Sequence, residues 1–172
     1  MQELPALPAD IRDGDERTTL IAMLDFHRAL LARKAWGLSP EQLNQPLAPS
    51  TLTLGGLLKH MAWVEQHWFY RIFLGNEQRE PWLSAPWDRD RDWELTSAAG
   101  ASLDELLELY DREVANVRVI VEAEPDLDAW ASNDSRGKIN LRWILVHMIE
   151  EYARHCGHAD LIRESIDGAV GD

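Results

Sequence analysis

The stretch His147-Met-Ile-Glu-Glu151-Tyr-Ala-Arg-His155-Cys-Gly-His158 sets histidine and glutamate at i, i+4, i+8 and i+11. On a helix this spacing lines the four side chains along one side. Glu151 and His155 then project toward the apolar face of Leu141, Ile144, Met148, Tyr152, Ala159 and Ile162. A carboxylate there must be paired, hydrogen-bonded or bound to a cation. Two ligands four residues apart on one helix can share a metal, the arrangement zinc enzymes use in His-x-x-x-His. The alternative is a buried polar network joining Glu151 to a histidine or to an arginine of another helix.

A third ligand must come from elsewhere, and His60 and His67 are available. His60 lies on the shoulder of the apolar stripe between Leu57 and Val64, and His67 about two turns further on. Two nitrogens and one carboxylate would leave coordination positions open, as in a catalytic metal site. Cys156 follows His155, but consecutive helical residues point ~100° apart and cannot form a Cys-His pair, so packing is its expected role.

Four amphipathic helices must position these residues. The first is predicted from Asp15 to Trp36, with Gly37 behind it. Ser39-Pro40-Glu41-Gln42 reads as a capping box opening a short turn. The second helix runs from Thr51 or Thr53 to Leu74, with Gly55 and Gly56 in its first turn, where another backbone can come close. The third opens at the Ser102-Leu-Asp-Glu105 capping box and ends before Pro125. The fourth starts after Asn140 and ends near Gly168. No β alternation of useful length and no repeat appears, so an all-α four-helix bundle over residues 1–172 is expected, with residues 1–12 an extended arm around Pro5 and Pro8.

The link from Gly75 to Ala101 can span a helix and permits helices two and three to run parallel. It carries Trp82, Trp87 and Trp93, which should dock on the bundle. Trp63, Trp68 and Trp143 on the helices are expected in the core or at a dimer contact. The eight tryptophans suggest a homodimer. The acidic runs Asp88–Asp92 and Asp104–Glu108 read as solvated faces.

A net charge of -13 argues against nucleic acid, which is held by clustered Lys and Arg. No apolar stretch is long enough for a membrane helix, and the N-terminus has no signal-like block. With one cysteine, no disulfide can form within the chain, and the expected compartment is the cytoplasm.

The segments Gly55-Gly-Leu-Leu-Lys-His60-Met-Ala62 and Leu141-Arg-Trp-Ile-Leu-Val-His147 through His158-Ala-Asp160 resemble the DinB/YfiT-like metalloenzyme superfamily, in its branch with mycothiol S-transferases. The likeness runs from Asp15 to Gly168 and is weakest in the tryptophan link. It implies an up-down-down-up bundle and a divalent metal, zinc or nickel, on His60, Glu151 and His155. Many relatives have histidine at Glu151, while the similar mycothiol-dependent maleylpyruvate isomerases have Glu-x-x-x-His. The resemblance leaves His147 structural or supporting, His158 lining or orienting the ligand, and His27 and His67 as surface or packing residues. It implies transfer of a low-molecular-weight thiol, mycothiol, to an electrophile. An open site of this kind also suits a metal-assisted hydrolase or isomerase, and a metal- or ligand-binding stress protein without turnover is the non-enzymatic alternative.

Overall fold

The computed structural model describes residues 4, 6–9, 11–133 and 137–171. Of the expected arm, residues 1–3, 5 and 10 lie outside the described residues, and the rest carries no helix.

Helix α1 spans Glu16–Ala35, with the Asp15 carboxylate accepting from the Thr18 N–H; Gly37 turns the chain at φ 76°. A single turn, α2 (Pro40–Leu43), forms on the Ser39 capping box. Helix α3 (Leu54–Glu65) opens on Thr53 and passes directly into a π-helical segment, Gln66–Phe73. A second single turn, α4 (Trp93–Thr96), lies in the tryptophan link. Helix α5 (Leu103–Ala123) begins with the Ser102–Glu105 box, and α6 (Leu141–Asp167) runs from the Asn140 cap to Gly168 at φ 77°. Among the described residues the β structure is one isolated bridge, Trp130 to Asn140, and no helix is long and apolar enough to cross a membrane.

Contacts along the long helices fix their directions. Glu16 pairs with Arg142, and Lys34 with Asp160, so α1 and α6 run the same way. Arg17 donates to the Val121 carbonyl while the Tyr110 hydroxyl donates to that of Arg28, setting α5 against α1. His60 meets His155 and Trp68 meets Trp143, setting α3 against α6. The four long helices thus run up, down, down and up, and the 75–101 link covers the length between the parallel α3 and α5.

Leu24, Leu31, Leu57, Leu58, Met61, Phe69, Leu106, Ile144 and Met148 fill the core. One polar network crosses it. Arg28 of α1 donates from Nε to Glu65 Oε1 at 2.8 Å and from Nη2 to Oε2 at 2.6 Å, and the Tyr152 hydroxyl of α6 donates to Oε1 at 2.7 Å. Burial pulls the Arg28 guanidinium down, but the Glu65 charge more than offsets it and holds the cation well above its ordinary value. Glu65 sits in the apolar run of α3, where nothing in the sequence marks it, and it takes the place expected for Glu151 as a buried carboxylate paired with an arginine of another helix.

The continuous α-helix expected to Leu74 is interrupted. In the π segment the Leu74 N–H reaches back five residues to the Phe69 carbonyl. Within it Gln66, His67, Trp68 and Phe69 are all buried, continuing a buried run that begins at Val64. Trp82 is fully buried, and Trp87 and Trp93 pack against the core, as the docked link requires. Of the eight tryptophans only Trp130 and Trp143 are exposed, so one chain accommodates most of them.

Candidate metal centre

The His60, Glu151 and His155 side chains each offer a ligand atom, and these atoms lie within 4.8 Å of one another. The His60 and His155 rings are 4.9 Å apart between centroids, bridging α3 and α6. Glu151 and His155 border the apolar face rather than enter it, with side chains 18% and 12% exposed. Their edge position opens onto a cleft of about 400 Å³, walled by Trp63, Val64, His67 and Trp68 on one side and His147 and Arg154 on the other.

Each histidine has its Nδ1 close to a further polar group. His60 Nδ1 lies 3.2 Å from Glu94 Oε1, and His155 Nδ1 lies 3.4 Å from His158 Nδ1. His155 Nε2 stands 3.5 Å from Glu151 Oε2. Two ligands of one tetrahedral zinc are separated by about 3.4 Å, given metal–ligand bonds of about 2.1 Å. Burial, then the neighbouring His60, His158 and Arg154, lower the His155 pKa to about 4, so its ring is neutral with a lone pair available. The donor set therefore fits a divalent metal ion, which these three residues could hold at the edge of the cleft.

The other residues singled out are arranged around these three. His147 Nε2 is 3.5 Å from Glu151 Oε1, and its ring stacks on Trp143 at 4.9 Å and meets Trp68 at 4.6 Å. His147 thus flanks the Glu151 carboxylate. His158 is outside the cleft lining and touches His155. His67 is buried against Trp63, and the His27 ring makes a local contact with the Met23 carbonyl. Cys156 is 6% exposed, and burial, with Asp160 adding, pushes its thiol up to about 12, so it is no nucleophile.

Sequence reasoning missed Glu94. It reads as one acid in a charged link, and nothing in its local pattern signals that the α4 turn carries it beneath His60. The glycine pair does hint at the docking: a Cβ on Gly56 would lie 3.1 Å from the Leu95 carbonyl oxygen, so only glycine lets α4 sit so close.

The fold and cleft define a four-helix bundle of the DinB/YfiT-like type with a histidine–glutamate cluster capable of holding a metal. The family model for mycothiol-S-transferase matches residues 19–168, and the chain belongs to that family, a family of mycothiol-related transferases. No curated protein matches the chain.

Proposed function

We propose that the protein is a divalent-metal-dependent thiol S-transferase that joins mycothiol to an electrophile. The observation that carries this is the convergence of His60, Glu151 and His155 at the edge of an open cleft that, among the described residues, no Ser, Cys or Lys lines. A divalent ion on these ligands would supply the Lewis acidity that favours a thiolate near neutral pH.

The chain's residues do the positioning. His155, kept neutral by burial, and His60 present ring nitrogens, Glu151 contributes negative charge, and His147 and His158 hold these ligands in orientation. Trp63 and Trp68 give the cleft apolar walls against which the carbon skeleton of a substrate can pack. In the transfer, the thiol sulfur forms a bond to the electrophilic carbon as the leaving group departs with its bonding pair, and the thiol proton passes to solvent.

The test compares zinc- or nickel-loaded protein with its His155→Ala variant, measuring metal content and conjugation of mycothiol or glutathione to a bimane electrophile. The expected result is a faster reaction with mycothiol, lost together with metal in the variant. Equal rates in both proteins would refute the reading. Turnover of a substrate without any thiol would point instead to a metal-assisted hydrolase or isomerase.

A further inference from the structure

We propose that Glu94 is a positioning residue of the metal centre, fixing His60 in the tautomer that aims Nε2 at the other two ligands. This rests on the reading of the cluster as a metal site. Glu94 belongs to the tryptophan link, far from any recognisable ligand motif, yet its side chain is only 7% exposed and Oε1 lies 3.2 Å from His60 Nδ1. A carboxylate oxygen accepts, so Nδ1 must carry the proton and Nε2 the lone pair. Most metal-bound histidines are oriented by a partner of this kind on their other nitrogen.

The surroundings show that the contact is built rather than incidental. Burying a carboxylate carries a desolvation cost that needs a partner, and Glu94 Oε2 has no hydrogen-bond partner among the described residues. The His60 ring is therefore the hydrogen-bonded group that Glu94 faces. The α4 turn that carries it is pinned from several directions. Lys59 Nζ donates to Ser97 Oγ at 2.8 Å and sits 4.3 Å from the centroid of the Trp93 ring. Trp93 meets Trp82 and Trp87 edge-on, each at 6.0 Å. Gly56 admits the Leu95 backbone against α3. Lys59 and His60 are neighbours on α3, so the same turn of helix that offers the ligand also anchors the element that orients it. The three-tryptophan link thus has a task in the metal centre, which its sequence alone does not disclose.

The experiment uses the full chain with Glu94→Gln and Glu94→Ala. The His60 tautomer is read by nitrogen NMR on metal-free protein, and zinc affinity by competition with a chelator. Wild-type His60 should be the Nδ1–H form, and Glu94→Ala should move it toward Nε2–H. Zinc affinity should fall roughly 10–100-fold in Glu94→Ala and less in Glu94→Gln, whose amide oxygen still accepts the bond. Gln preserves the shape, so it keeps the test intact if the alanine variant fails to fold. A wild-type His60 in the Nε2–H form, or zinc bound equally tightly by all three proteins, overturns the inference while leaving the proposed function standing. A wild type that binds neither zinc nor nickel overturns both.

Discussion

Replacing Glu65 with glutamine isolates the charge in the buried network from its shape. The glutamine keeps an acceptor for the Tyr152 hydroxyl but leaves the Arg28 guanidinium, 4% exposed, without its counter-charge. Two short hydrogen bonds, at 2.8 and 2.6 Å, lose their anionic acceptor. Asp25, 2.9 Å from Nη1, remains as a partly exposed partner and compensates only in part. Breaking a buried pair by removing one member costs about 3–5 kcal/mol. For a domain of this length each kcal/mol lowers Tm by roughly 2–4 °C, so the expected fall is roughly 6–20 °C. Urea unfolding gives the free energy and calorimetry the Tm. Arg28→Met combined with Glu65→Gln removes both charges and should recover much of the loss. A single-variant loss below about 1 kcal/mol, the range of exposed pairs, would refute the reasoning, as would a double variant no better than the single one.

Gly56→Ala should gain about 1 kcal/mol of helix propensity yet lose about 1–3 kcal/mol to the crowding of the new Cβ against Leu95 and Thr53. A variant more stable than wild type in urea would show that α4 is not held by this approach. Burial, with the Glu65 charge adding, raises the phenols of Tyr110 and Tyr152 well above the ordinary value of 10. A raised folded value means stability is present below pH 10 and is lost as pH rises above it. Phenolate absorbance of both residues should therefore appear only with unfolding, and their titration in folded protein would contradict this. Cys156 should resist a disulfide-exchange reagent in native protein and react on denaturation, and rapid native labelling would show that its side chain is accessible.

The four long helices were legible because each carries both an apolar period and a terminal signal: Asp15, Thr53, Ser102 and Asn140 cap the starts, and Gly37 and Gly168 mark two of the ends. Helical spacing put Glu151 and His155 on one face of the last helix, whereas the choice of His60 over His67 as their partner came from the resemblance to the DinB/YfiT-like superfamily, because spacing within one helix does not say which residue of another helix it meets. What escaped depends on tertiary contacts. The π segment lies in a run buried without interruption from Val64 to Phe69, a pattern with no local period to mark a change of helix type. Glu65 hides inside an apolar stripe, and its partner lies 37 residues away on α1. Glu94 belongs to a single turn whose position is dictated by tryptophan stacking rather than by its own four residues.

The pairing of α1 with α6 also bears on the order in which the molecule can assemble. Glu16 and Arg142 are 126 residues apart in the chain, and Tyr152 reaches Glu65 across 87. Contacts of such span demand closure of long loops, which slows folding relative to a bundle of consecutive hairpins. During synthesis, the first three long helices emerge with the α6-facing side of α3 uncovered, leaving His60 without His155 and Glu65 without Tyr152. Completion of the core and assembly of the histidine–glutamate cluster thus await the same event, the arrival of the final helix. A chain truncated before residue 141 should therefore fail as a folding unit as well as a metal binder.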